Sequence, residues 1–229
     1  MSVKLPWFRR RRAKSIGQSL VEFTVLLPVL LIMISGLIEF GIMLNYYLDL
    51  IDAAREAARF ASDADPIHDP NDGSYLDPNP AFYDNVQTLA MESLRAASDN
   101  RIDWPKMRAM YGPGPAWCNY VNGDIVISAF GTLNNAGTPV VDKRFPEVMG
   151  ENGVSLCNHY ASKITSAQIQ SRLDAAAPTS GLVLVEIYYD YDQVLALPWI
   201  TAFVPDPIHL HAYTIMPNSN AEPTPTTPP

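Results

Sequence analysis

The stretch LVEFTVLLPVLLIMISGLIEFGIML, Leu20–Leu44, decides the architecture of this chain. Its only charged residues are Glu22 and Glu39, and the sixteen residues between them, Phe23–Ile38, carry no charge. A bilayer core is about 30 Å thick and takes roughly 20 helical residues. Phe23–Ile38 rises about 24 Å as a helix, so both glutamates fall near the hydrocarbon edges. There, snorkelling and local water lower the cost of a charge. The run is longer than a secretory h-region, holds glutamates and lacks an evident small-x-small cleavage site, which argues against a removed signal sequence.

N-terminal to this span lies a cluster of cations. Lys4, Arg9, Arg10, Arg11, Arg12 and Lys14 stand in the first fourteen residues, without a carboxylate among them. The whole chain of 229 residues has a net charge of −8. Beyond the head, ten cations therefore face twenty-four carboxylates, a balance of −14. Basic residues against one end of a span mark the cytoplasmic side, so the expected topology is N-terminus inside and the remainder outside. The same asymmetry explains the arginines without nucleic acid.

C-terminal to the span the helical pattern continues. Tyr47, Leu48, Ile51, Ala54, Ala58 and Ala61 recur at helical spacing, with Asn45, Asp49, Asp52, Glu56 and Arg59 on other faces. One helix is expected over 18–61, about 65 Å long, with its upper half turned to a globular domain. Asp65-Pro66 through Pro80 reads as loop. Helical spacing returns over Ala81–Ser98, and Pro and Gly break Asn100–Pro115. Strands are expected over Asp124–Phe130, Leu182–Val194 and Ile208–Met216, a turn at Asn134–Gly137, and a helix over Thr165–Ala177. Asn218–Pro229 is Pro/Thr-rich and reads as a disordered tail. The expected fold class is α+β: a long N-terminal membrane-spanning helix continuing into an extracytoplasmic domain with a small antiparallel sheet and additional helices. The division is a basic leader 1–17, the helix 18–61, the domain 62–217 and the tail 218–229.

Chemistry-bearing motifs are sparse. GxSxG, HExxH, a Walker loop and a Gly-rich dinucleotide turn are all missing from the sequence. His209 and His211 would share one face of a strand, but two ligands do not make a catalytic metal site. The oxygen-rich loop Asp69–Asp77 places Gly73 at position five, not six, of a calcium hand. The expectation is therefore no catalytic residue, no metal and no cofactor. Cys118 and Cys157 are the two cysteines, read as a disulfide in an oxidising compartment or else as buried free thiols.

The segment Gly17-Gln18-Ser19-Leu20-Val21-Glu22-Phe23 follows the basic head directly. It resembles a type IV prepilin processing site of the kind used by tight-adherence (Flp) pili, cut after Gly17 so that Glu22 is the fifth mature residue. With Leu27-Pro28, Gly36-Leu37-Ile38-Glu39-Phe40-Gly41 and Asp52-Ala53-Ala54-Arg55-Glu56-Ala57-Ala58-Arg59, the wider segment resembles the TadE-like family. A fainter likeness extends to a strand near Tyr188–Leu197 and a last strand ending near Met216. The resemblance implies a minor pilin or pseudopilin made as a single-pass inner-membrane protein. Its implied partners are a prepilin peptidase, other pilins and pseudopilins of the same system, the inner-membrane assembly platform and membrane lipid, with no nucleic acid. The domain is too large for the small subunit that builds the shaft of such pili.

Physical reasons accompany these roles. Glycine before the cut lets an extended backbone enter a protease. Glu22, costly alone in lipid, would pair with the new amine of Gln18 on a neighbouring subunit. Pro28 removes one helix hydrogen bond and so offers a place to bend. Glu22, Pro28 and Glu39 are thus candidate filament-packing residues; Gly17, Gln18, Glu22 and Phe23 are candidate processing residues. The competing reading is a membrane-anchored extracytoplasmic binding or sensor module whose N-terminus is only an anchor.

Overall fold

A computed structural model describes residues 16–67, 79–112, 115–135, 137–174 and 181–221. The basic leader up to residue 15, the acidic loop Asp69–Asp77 and the tail from residue 222 lie outside these residues. Helix α1 runs unbroken over Ile16–Ser62, passing through Pro28. Its first half is bare: Leu20, Phe23, Leu30, Met33 and Leu37 are exposed. From Glu39 onward it turns one face inward, and Leu50, Ala53, Ala54, Ala57, Ala58 and Ala61 are completely or almost completely buried. Alanine at these positions lets neighbouring elements approach the helix backbone closely and keeps helix propensity high.

Two further helices pack beside it. In α2, Pro80–Ala97, the Asn79 side chain accepts hydrogen bonds from the N–H groups of Ala81 and Phe82, and Pro80 opens the first turn, where no intrahelical N–H is needed. Its buried face carries Phe82, Tyr83, Val86, Ala90, Met91 and Leu94. Helix α3, Trp104–Tyr111, falls where the sequence reads as broken. The reason is that Pro105 sits in its first turn behind the Asp103 cap, starting a helix there.

The sheet has five antiparallel strands: β1 Gly123–Asn135, β2 Thr138–Phe145, β3 Val154–Ser155, β4 Gly181–Tyr191 and β5 Ile208–Asn218. The order is β2-β1-β4-β5, with β3 also on β1. The β1–β2 hairpin closes at Asn135↔Thr138, and Gly137 takes the left-handed φ of 90° that such a turn requires. Ile125 pairs with Ile187 and Ile127 with Val185, and this face packs on α1 and α2 as one core. The opposite face carries Asp124, Ser128, Phe130, Leu184, Glu186, Tyr188 and Asp190, and the arm running from β3 to residue 174 covers it. This arm contains the short helix α4, Ser166–Gln170.

The α+β class with a long N-terminal helix is therefore as the sequence indicates, and several bounds differ. Of the helix expected over Thr165–Ala177, the described residues up to 174 form only α4, where Ile169 is the one buried side chain and the N–H groups of Arg172 and Leu173 turn back to carbonyls three residues earlier; residues 175–177 lie outside the described residues. Strand β4 stops at Tyr191, not Val194, because the N–H groups of Val194 and Leu195 are taken by a carboxylate. The last strand continues to Asn218, and a short turn, Ser219–Ala221, follows it. These residues, placed in the tail by composition, are held because Asn218 and Ala221 are buried.

Candidate functional site

The candidate site is the passage where α1 leaves its bare half and enters the domain. Glu39 is only 5 % exposed. Its Oε1 accepts from the Tyr191 hydroxyl at 2.6 Å and the Val194 N–H at 2.9 Å, and its Oε2 accepts from the Leu195 N–H at 2.8 Å. Burial, and then the Glu39 carboxylate beside it, push the Tyr191 hydroxyl well above its ordinary value, so it remains a donor. Hydrogen bonds to an ionised acceptor are the strong kind, about 1.5–3 kcal/mol each. Glu39 is thus clasped within its own chain. Its carboxylate is occupied by three donors of its own chain, which the expectation of a filament-packing role did not include. The end of β4 brings its donors to it, a placement that sequence spacing does not reveal.

One to three turns higher, the clasp continues. Arg101 reaches back to α1, donating to Asp49 Oδ2 at 2.7 Å and Asn45 Oδ1 at 2.5 Å. Its guanidinium lies over the Tyr46 ring at 4.9 Å. Tyr46 in turn stacks on Tyr189, with ring centroids 5.6 Å apart. Burial pushes the Asp49 carboxyl upward, and Arg101 pulls the other way. At the far end of α1, the Asn218 amide donates to the carbonyls of Ala61 at 2.7 Å and Ala64 at 2.9 Å, capping the helix. One turn below Glu39, the Trp199 indole N–H donates to Ser35 Oγ at 3.1 Å.

The N-terminal site residues lie at the other end of the same helix. Gly17 and Gln18 fall in its first turn, where N–H groups lack intrahelical acceptors. Glu22 and Phe23 are exposed on the bare half. Pro28 lies inside it and leaves the Thr24 carbonyl without its usual i+4 partner.

Cys118 and Cys157 form a disulfide, with Cα atoms 5.4 Å apart. It ties the turn Pro115–Tyr120 to the arm that covers the back of the sheet. Asp124 holds the same arm: its carboxylate accepts from the N–H groups of Cys157, His159 and Tyr160 and from the Ser155 hydroxyl. Behind it, Glu186 is fully buried and accepts from Ser162 Oγ, the Lys163 N–H and the Tyr188 hydroxyl, with His211 Nε2 at 3.0 Å. Burial raises its carboxyl, but the hydrogen bonds, that of His211 first, outweigh this and hold it below the ordinary value. His209 Nδ1 lies 2.6 Å from Asp190 Oδ1, which also accepts from Tyr160. Burial and then Asp190 push that phenol up to about 12. This makes Tyr160 a poor proton donor in chemistry and a steady one in structure. His209 and His211 thus each rest on a carboxylate, and among the described residues no group of three His, Cys, Asp or Glu could hold a metal ion.

Among the described residues α1 is the one helix long and apolar enough to cross a membrane. Its length from the first turn to Arg59 is what the comparison with known families picks out. Residues 17–59 match the TadE-like protein family. The chain carries a TadE-like segment. No curated protein and no solved structure matches it. The TadE-like segment includes Gly17, Glu22, Pro28, Glu39, Asp49 and the buried alanines up to Ala58. The partners that clasp it, Tyr191, Arg101 and Asn218, lie outside the match, in the domain. The match suggests involvement in the Tad pilus system, and the apolar helix a single-pass membrane anchor.

Proposed function

We infer that this chain is a minor pilin or pseudopilin acting in the assembly of a tight-adherence type IV pilus or secretion apparatus. The observation that carries the reading is the TadE-like match over 17–59 laid on a single unbroken helix. That helix is bare and apolar in its first half and is the core of a domain in its second. A subunit drawn from a bilayer into a filament needs both halves joined rigidly, so that a pull on the domain is felt by the span. The basic head lies on the cytoplasmic side and the domain outside. The disulfide supports that placement, since such bonds persist in oxidising compartments.

A prepilin peptidase cuts between Gly17 and Gln18, at the very start of α1, where a helix end unwinds more readily than its interior. The cut removes all six leader cations, which otherwise resist passage through hydrocarbon at several kcal/mol even on lenient scales. Glu22 then receives the Gln18 amine of a neighbouring subunit. The partners are the peptidase, other pilins and pseudopilins, the assembly platform and lipid. The test is mass spectrometry of the mature N-terminus in a host carrying the cognate peptidase. A chain starting at Gln18, lost in a Gly17→Leu variant, is the expected result. Only intact Met1 or Ser2 beside working pili would instead favour a permanent anchor bearing a binding or sensor module.

A further inference from the structure

Between Gln193 and Asp206 the chain contains no charged residue. Val194–Val204 leaves β4, forms the short helix α5, Pro198–Thr201, and returns toward β5. It leaves its large apolar side chains in the open: Phe203 is 89 % exposed, Val194 59 % and Trp199 42 %. The excursion is nevertheless built. The Gln193 amide closes its base by donating to the carbonyls of Val204 and Pro205, and the Gln193 N–H donates to Asp206. Glu39 fixes its first turn, and Trp199 fixes α5 to Ser35 on the bare half of α1.

These contacts set its height. Ser35 lies four residues before Glu39, about 6 Å further down the helix, inside the uncharged span. A segment that puts Trp and Phe at that level beside a membrane helix has the composition and depth of an interfacial element, which buries its apolar face about 5–10 Å into the headgroup and acyl boundary. We propose that Val194–Val204 is a second membrane contact, seated in the interface of the bilayer that α1 crosses, at the end where α1 leaves it. The occupant is lipid because the surface is continuous with the bare half of α1 and carries no charge for a polar partner to read. The indole N–H bonded to Ser35 removes the one strong donor that Trp199 would otherwise carry into hydrocarbon. Glu39 thereby does two things: it satisfies the N–H groups of a turn that would be left unpaired near lipid, and it fixes how deep the domain sits. The proposal rests on the reading of α1 as a membrane anchor.

The test is nitroxide labelling of the full chain in liposomes at low protein-to-lipid ratio, with the native disulfide intact so that only an introduced cysteine reacts. Labels are placed singly at Phe203→Cys, at Leu30→Cys in the span, and at Ser219→Cys. Ser219 is exposed beside the far end of α1, whose last turn lies about 39 Å along the helix from Ser35. Collision with oxygen, which concentrates in lipid, is compared with collision with a water-soluble nickel chelate. The expected result is that position 203 follows position 30, with oxygen collisions dominant, and that position 219 shows the reverse. Position 203 behaving like 219 while 30 reports lipid overturns the proposal and leaves the anchor standing. Position 203 shielded from both reagents overturns it in favour of contact with a second copy. Position 30 reporting water overturns the anchor reading itself, and the proposal with it.

Discussion

Glu39 and Glu22 are the same residue type at the two ends of one apolar run, and their surroundings separate them. Glu22 is exposed on the bare half of α1, whereas Glu39 is closed in by three donors from the last residue of β4 and the turn after it. Replacing Glu39 by Ala leaves two part-buried N–H groups and a buried tyrosine hydroxyl without their acceptor. The expected loss is about 3 kcal/mol in the unfolding free energy of the full chain in detergent. Glu22→Ala should leave it within about 0.5 kcal/mol; equal effects of the two would refute the clasp. Glu186 makes a pH-dependent contribution. Its carboxyl in the fold lies below the ordinary 4.5, held there against burial by His211, Ser162, Tyr188 and the Lys163 N–H. Lys163 above the Tyr188 ring and the buried Arg144 also face this cluster. A lowered folded value means the stabilisation is complete above the unfolded value and disappears as pH falls through the folded one. Glu186→Gln should therefore cost about 2 kcal/mol at neutral pH, with the gap to wild type closing below pH 4.5 in acid titrations of unfolding. A gap independent of pH would mean that the charge has no part.

At the scale of elements, α1 is two helices in function and one in backbone. Hydrophobicity marks the first half, which is bare and long enough to cross a membrane, and small side chains the second, where the sheet and α2 must come close. Pro28 is tolerated because the bare half has no tight packing to disrupt. The arm from β3 to residue 174 is a different kind of element, with little regular structure, and its Ile164 and Ile169 pack on Phe130 and Leu184 of the sheet. The disulfide, Asp124 and Glu186 hold it against the back of the sheet. Closing the loop from Cys118 to Cys157, a sequence separation of 39, stabilises the fold by roughly 3–4 kcal/mol in the chain-entropy model. Cys118→Ser should lower the melting point accordingly under oxidising conditions, and reductant should lower wild type to the same value without affecting the variant. Two thiols titrating in the unreduced native protein would contradict this.

For the whole molecule, the governing asymmetry is that of charge about the span. Six cations precede it and a −14 remainder follows, so the domain should lie outside. A reporter active only outside the cytoplasm, fused after Pro229, is expected to be active, and a cytoplasmic reporter at the same point silent; the opposite pattern would reverse the topology. Because Glu39, Arg101 and Asn218 fix α1 along the length of the domain, the domain cannot swing freely on α1. Force or lipid depth at one end of α1 is transmitted to the other.

Periodicity and hydropathy alone determined the long helix, its uncharged span and the strands about Ile127, Ile187 and Leu210, while the TadE-like character of residues 17–59 was legible as a resemblance of motifs. These signals are local: an apolar run must meet lipid or a core, and alternation must make a strand. Local signals misled where a residue's role depends on what comes to it from far away. Pro105 reads as a breaker until Asp103 is seen to cap the turn around it. Asn218 reads as tail until its amide reaches the end of α1, and Gly181 must lack a side chain because the Asn218 carbonyl would lie 2.2 Å from a Cβ there. Spacing does not show the donors of Glu39, which come from residues more than 150 positions away. Tertiary structure alone decided that Glu39 and Glu186 are clasped by donors from distant parts of the chain, because the energy of a buried charge depends on the partners that folding delivers and not on its neighbours in sequence.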